Sequence, residues 1–308
     1  MGSEAVLVVG SVNFDYVVRQ DRLPRRGETL TATELHGSCG GKGANQAVQA
    51  SRLGSSVSMI GASGCDPNGA ACLEALQAQG VAAYMRPSAS PNGLGIVHVT
   101  GDGEVYSTIV EGANADVDPS WVAQNAALIR SAAVVILQNE IPASANEKAV
   151  ELSVAASVPV IFNAAPALEI SREVTRGCAW FVVNEEEAST YLGHPLGDLE
   201  DDGTLRRALA GLRTYCENVV LTLGSSGSYV ALGEDVRFVP AVPTSAIDTT
   251  GAGDSFIGAF AHALVSGEDP FDAARTATMA ASLTVRGYGA QTSMPTGEEL
   301  RREVVRQA

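Results

Sequence analysis

The chain has 308 residues, 45% hydrophobic and only 18% charged, which supports a sizeable core and excludes a disordered or coiled-coil class. A formal net charge of −15 argues against a nucleic-acid partner, which needs basic groups against phosphate. No apolar run approaches ~20 residues, so no membrane span is expected, and the opening residues lack the basic n-region of a signal peptide.

Ala5 to Val9 (AVLVV) is a short apolar run ending at Gly10, as in a buried parallel strand. Residues 13–38 are polar and include an alternating stretch, Glu28 to Glu34 (ETLTATE). Helical spacing runs from Gly43 to Leu53 and stops at Gly54, a glycine suited to a left-handed cap. Val57 to Ile60 reads as a strand, and Pro67 to Gln79 as a helix with proline near its start and Gly80 at its end. Leu94 to Thr100 and Glu104 to Val110, around Gly101-Asp102-Gly103, form a candidate hairpin.

Short apolar strands then follow at Ala133 to Leu137, Val158 to Phe162, Trp180 to Val183 and Val219 to Leu223. Helical stretches at about 119–130, 143–156, 185–192 and 203–216 separate them, and three more lie at 252–266, 270–285 and 297–307. The alternation predicts an α/β fold, a mostly parallel sheet covered by helices on both faces. Residues 13–38 and 92–110 break the rhythm and are read as a small β-sheet lid. The plain alternative is an edge extension of the large sheet. The main domain then comprises 1–12, 39–91 and 111–308.

Five scattered cysteines without a C-x-x-C pair, and four dispersed histidines, speak for reduced thiols in a cytoplasmic protein and against structural zinc.

The segment Asp248-Thr249-Thr250-Gly251-Ala252-Gly253-Asp254 precedes a strongly helical stretch. Gly251, Ala252 and Gly253 let the backbone turn so that successive N–H groups converge, and the helix adds the positive end of its dipole. That is an anion hole suited to a transferring phosphoryl group, even on an acidic protein. Asp254 repels phosphate, so it makes sense there as a base taking a proton from an attacking hydroxyl. Equally, it is a residue type favoured at helix N-caps.

The Rossmann pattern fails because Phe256 stands at its last glycine, and the Walker pattern fails because His36 stands five before Gly41 and Gly43 follows Lys42. Gly40-Gly41-Lys42-Gly43-Ala44-Asn45 opens a helix, with Lys42 and Asn45 able to reach one cleft; a flexible loop with a solvated lysine is the alternative. Gly10-Ser11-Val12-Asn13-Phe14-Asp15 lies at the carboxyl end of the first strand, where open α/β sheets bind ligands. Asn13 and Asp15 suit a polyol there, or a simple polar turn.

These three segments together resemble the ribokinase-like (PfkB) carbohydrate kinases from about Val6 to Pro295. Gly112-Ala113-Asn114, Asn184-Glu185-Glu186-Glu187, Thr222 to Gly227 and Gly289-Ala290-Gln291 belong to the same likeness, and P-x-x-G-E-T (Pro24 to Thr29) with G-G-K-G-A-N-Q-A (Gly40 to Ala47) points to its ribose-phosphorylating branch. The resemblance implies ATP-dependent transfer of the γ-phosphoryl group to the 5-hydroxyl of D-ribose. It implies Asn13, Asp15, Gly41, Lys42, Gly43, Asn45 and Glu140 at the sugar, with Asp254 as base. Asn184, Thr222, Gly224, Ser226, Gly227 and Gly253 are implied at the nucleotide, and Asn184 and Glu187 at Mg²⁺ through water. A monovalent cation, K⁺, is implied at Asp248, Thr250, Thr284, Gly287, Gly289 and Ser293, and a homodimer through the lid.

Departures from the family pattern are Asn163-Ala164-Ala165-Pro166-Ala167 for the usual N-P-A-P-A, Asn139 in place of leucine before Glu140, and Thr278 where an adenine contact is common. A kinase for another sugar or a nucleoside remains an alternative within the family. A non-catalytic sugar-binding regulator is the alternative outside enzymes.

Overall fold

A computed structural model describes residues 5–102 and 104–307. In chain order the strands are β1 (Ala5–Val9), β2 (Asn13–Arg19), β3 (Glu34–Gly40), β4 (Ser56–Gly64), β5 (Ala82–Ser88), β6 (Gly93–Val99) and β7 (Val105–Val110). They continue as β8 (Val134–Gln138), β9 (Val160–Asn163), β10 (Trp180–Asn184), β11 (Val219–Thr222), β12 (Gly227–Leu232) and β13 (Asp235–Pro240).

Nine of these strands form one sheet in the order β13-β12-β11-β10-β9-β8-β1-β4-β5, parallel from β11 to β5 with an antiparallel β12–β13 edge. Period-two alternation divides each central strand between two cores. Val6 and Val8 pack with the helices Lys42–Leu53, Ala252–Val265 and Pro270–Thr284. Leu7 and Val9 face the opposite layer, with Val122, Ala145, Ala149 and Leu209. Both faces are therefore covered, as the continuous apolar strands require, and each fully buried Val or Leu contributes about 1.5–3 kcal/mol.

The other four strands make a separate sheet in the order β3-β2-β6-β7. The hairpin of β6 with β7 forms as predicted, closed by Thr100 N donating to Glu104 O at 3.0 Å. Its predicted turn residue Gly103 lies outside the described residues. Helix caps follow the sequence signals: Gly54 is left-handed after Leu53, and Asp66 accepts from Gly69 N at 2.8 Å before Pro67.

Several boundaries differ from expectation. Of the alternating stretch 28–34 only Glu34 is in a strand; Glu28 is instead held by Arg22 and by Arg25 N, and β3 begins at Glu34 and runs to Gly40. The predicted helix 119–130 is two helices, Pro119–Gln124 and Ala126–Ser131, parted at Asn125, whose Nδ2 donates to Trp121 O. The edge strands β5 and β13, and β12 between β13 and β11, are not among the strands read from the sequence. Among the described residues, no helix is long and apolar enough to cross a membrane.

Candidate active site

The carboxyl ends of β1, β8 and β10 and the N-termini of the Lys42–Leu53 and Ala252–Val265 helices converge beside the small sheet. Ser11, just past β1, organises the first of these helix ends. Its Oγ donates to Glu140 Oε2 at 2.6 Å and accepts from Gly43 N at 3.3 Å, while its carbonyl accepts from Ala44 N at 3.0 Å. Glu140 Oε2 also accepts from Lys42 N at 3.0 Å. A carboxylate and a serine thus satisfy amides that an α-helix leaves unpaired at its start. Gly41, at φ 87°, makes the turn into this helix, and a side chain there would meet the backbone of Asn13.

Asn13 and Asp15 leave β2 toward the same space. Asn114 Nδ2 donates to Asn13 Oδ1 at 2.7 Å, and Asn114 Oδ1 accepts from Val12 N at 2.8 Å, so the orientation of Asn13 is fixed from behind. Asp15 fits between Gly40 and Gly95; a Cβ on either would collide with its carboxylate. Burial, then the charges of Glu140 and Asp254, push the half-buried Asp15 up to about 6, against the Gly95 amide and Lys42, which pull it down.

Asp254 is 8% exposed and sits in the first turn of the Ala252–Val265 helix, whose N-cap is Gly251 at φ 78°. It does not cap its own helix. Its Oδ2 accepts from Asn45 Nδ2 at 2.9 Å and its Oδ1 from Gln46 Nε2 at 2.9 Å. Burial raises its pKa, opposed by Lys42 and by the two amide donors, with Glu140 adding to the rise. Burial alone would lower the Lys42 pKa, but Asp254, Glu140, Glu187 and Asp15 together hold it above its ordinary value.

On the other side of Asp254 lies a cavity of about 200 Å³, lined by Lys42, Asn163, Asn184, Glu187, Thr222, Gly251, Gly253 and Asp254, with Val182, Val183, Phe256 and Ile257 as apolar wall. Asn184 and Glu187 make a capping box: Glu187 N donates to Asn184 Oδ1 at 2.8 Å and Asn184 N to Glu187 Oε2 at 2.9 Å. Ser226 lines a second cavity of about 430 Å³ with Glu185, Leu223, Tyr229 and Phe238. Gly224 is on the same exposed turn, while Gly227, at φ 128°, packs so close to Val239 O that no side chain fits.

Of the six residues expected at a monovalent cation, Asp248, Thr250, Gly287 and Gly289 lie on two loops that meet, while Thr284 ends the Pro270–Thr284 helix and Ser293 the short Ala290–Ser293 helix. Asp248 accepts from Thr250 N and from Gly289 N, each at 2.9 Å, and Ile247 N donates to Val285 O at 2.7 Å. The Thr284 hydroxyl is buried and bonded to Ser255 Oγ and Ala280 O, so its side chain is committed elsewhere. Gly287 packs against Ser293, whose Oγ donates to Tyr288 O at 2.9 Å.

Asn139 turns away from Glu140; its Nδ2 donates to Pro166 O at 2.9 Å and Tyr191 Oη at 3.2 Å. Residues given no role from sequence prove central to the site: Ser11, Gln46, Asn114, Gln138, Asn163 and Gln291, whose Nε2 donates to Asn45 Oδ1 at 3.1 Å. Gln46 was adjacent to Asn45 in the glycine-rich motif, and that adjacency was the available signal.

The sequence profile of pfkB family carbohydrate kinase matches residues 3–297. The chain is a pfkB family carbohydrate kinase. Similar proteins include "Ribokinase" of Bacillus subtilis, 37% identical over 297 residues covering 96% of this kinase and 97% of the relative. "Deoxyribokinase" of Salmonella typhi is 31% identical, covering 96% of each chain. A solved structure of Arabidopsis thaliana ribokinase complexed with ribose and ATP superposes with a TM-score of 0.90 at 34% identity, covering 98% of both chains. The kinase therefore has the ribokinase-like fold, with the parallel sheet and separate small sheet that its sequence predicted.

Proposed function

We propose that this kinase transfers the γ-phosphoryl group of ATP to the 5-hydroxyl of D-ribose, giving D-ribose 5-phosphate and ADP. The observation that carries the reading is the position of Asp254, between a buried polar cradle and a cavity at a helix N-terminus. In this reading Asn13, Asp15, Asn45 and Glu140 hold sugar hydroxyls, with Gly41, Lys42 and Gly43 as the close backbone on that side. Asp254 takes the proton of the attacking hydroxyl as the new O–P bond forms and the bond to ADP breaks. The amides of Gly251 and Gly253 face the charge on the transferring group, Ala252 N here donating to Thr249 O at 3.2 Å, and Lys42 offsets that charge. Asn184, Thr222, Gly224, Ser226, Gly227 and Gly253 border the nucleotide.

Among the described residues, no three His, Cys, Asp or Glu side chains are grouped as metal ligands. A Mg²⁺ ion bound chiefly by phosphate oxygens and water, with Asn184 and Glu187 behind the water, fits that donor set. When bound, it neutralises charge on the phosphates. Asp248 and the carbonyls around it are proposed to hold K⁺, which shapes the Gly251–Gly253 turn without touching substrate; equal rates in sodium, potassium and caesium salts would argue against this. The exposed Leu35, Tyr106, Ile109 and Val110 on the small sheet support a lid that also pairs two copies, in a cytoplasmic enzyme. Sedimentation as a fully active monomer would exclude the pairing.

The test is kcat/KM with ATP for D-ribose, 2-deoxyribose, fructose and adenosine. D-ribose should rank first, because buried polar groups left unpaired by an analogue penalise it. A preference for 2-deoxyribose, the sugar in the name of the Salmonella typhi relative, would overturn the substrate while keeping the chemistry.

A further inference from the structure

We propose that Gln46 is a positioning residue that fixes the carboxylate of Asp254 and favours its ionised form, at the end of a buried amide relay from Gln138. The inference rests on Asp254 acting as the base. Gln46 is fully buried in the Lys42–Leu53 helix, against the Ala252–Val265 helix. Its Nε2 donates to Asp254 Oδ1 at 2.9 Å and to Asn163 Oδ1 at 3.0 Å, and its Oε1 accepts from Gln138 Nε2 at 2.8 Å. Only one orientation of the amide satisfies this set. Reversed, Gln46 would turn an oxygen on two oxygens and an NH₂ on an NH₂.

Gln138 is itself fully buried at the end of β8, where its backbone carbonyl accepts from Asn146 Nδ2 at 2.8 Å while its side-chain Oε1 has no protein partner. Glycine at position 10 makes room for its side chain, since a Cβ there would collide with Gln138 Oε1. Gln46 alone thus bonds Asp254 Oδ1, and Asn163 and Gln138, from β9 and β8, hold its amide in place.

Burial penalises the charged form of Asp254, and Lys42 opposes that penalty. Asp15, Glu140 and Glu187, facing it from β2, the end of β8 and the Glu185–Leu192 helix, add repulsion. Amide donors favour the ionised carboxylate. Asn45 is one of them, but it is also an expected sugar contact. Gln46 bonds the other carboxylate oxygen, so Oδ2, which accepts from Asn45 Nδ2, is the oxygen left to take the proton of the attacking hydroxyl.

The experiment is single-turnover phosphorylation of D-ribose against pH at saturating sugar, for the parent, Gln46→Met, Gln138→Met and Asp254→Asn. Loss of one charge-assisted hydrogen bond should move the acid limb upward by about one pH unit in Gln46→Met. The rate should recover at higher pH, and Gln138→Met should shift less in the same direction. Rates lowered equally at every pH, with the limb unmoved, would overturn the proposal. If Gln46→Met fails to fold, the Gln138→Met profile decides by the same criterion. Turnover retained by Asp254→Asn would instead refute the base assignment, whatever the Gln46 profile shows.

Discussion

The two halves of the site are built differently. On the proposed sugar side three of the polar side chains are buried and held by other side chains: Asn13 is 2% exposed, Asn45 6% and Asp254 8%, each with a named amide partner, while Asp15 and Glu140 are half-buried. On the proposed nucleotide side, Asn184, Gly224, Ser226 and Gly253 are exposed, Gly227 is buried, and the proposed means of binding are backbone amides and helix starts. A buried, hydrogen-bonded cradle discriminates, because an ill-fitting ligand leaves groups unpaired. An open edge of backbone amides binds phosphate charge with little regard for what carries it.

The sharpest way to break this comparison is at the boundary itself. Asp254→Asn keeps the shape and removes the basicity. Turnover should fall by roughly 10²–10⁴-fold, with the fold retained by circular dichroism. Near-normal turnover would reduce Asp254 to a structural member of the cradle.

A pair of glycine substitutions compares the halves directly. A Cβ at Gly95 would strike the Asp15 carboxylate, whereas one at Gly253 meets no heavy atom within 4 Å. Gly95→Ala should raise the KM for sugar by about tenfold and cost about 1–3 kcal/mol of stability through overpacking. Gly253→Ala should leave the melting temperature unchanged and raise the KM for ATP, because its methyl stands where phosphate approaches. Equal effects of the two on both constants would erase the distinction.

The smallest expected effect is a pH dependence confined to the sugar side. Burial and its carboxylate neighbours raise Asp15 to about 6, so below that pH it is protonated and a poorer acceptor. The KM for D-ribose should therefore rise as pH falls through 6, and Asp15→Asn should abolish that limb while weakening binding. The same shift opposes folding. The unfolded carboxyl ionises from 3.8 upward and the folded one only near 6, so this group's contribution to stability is lost as pH rises across that window. Asp15→Asn should then raise stability by about 1–2 kcal/mol at pH 7 and leave it unchanged near pH 4. Thermal melts at the two pH values decide this.

The fold was legible where local pattern and global role agree. AVLVV is a central strand because both its faces are buried, and Gly54 stops a helix because it adopts the left-handed conformation. The antiparallel strands beyond β11 were not: β12 owes its identity to pairing with β11 and β13 to pairing with β12, and of the evenly alternating 28–34 only Glu34 joins a strand. In the site, motif residues with unusual chemistry stood out, Lys42 among glycines and Asp254 beside an anion hole. Gln46, Asn114 and Gln138 did not, because a neutral amide shows its role only through the partner it meets across more than ninety residues. Asn139 illustrates the converse: adjacent to Glu140 in sequence, it faces Tyr191 instead.

The central claim is that this architecture phosphorylates the 5-hydroxyl of D-ribose. Incubating the kinase with ATP, Mg²⁺ and uniformly ¹³C-labelled D-ribose, and reading ³¹P–¹³C coupling in the product, tests it most directly. Coupling to C5 and its neighbour C4 is expected, with ADP formed in equal amount. Coupling to C1, or ATP hydrolysis without a sugar phosphate, would contradict it.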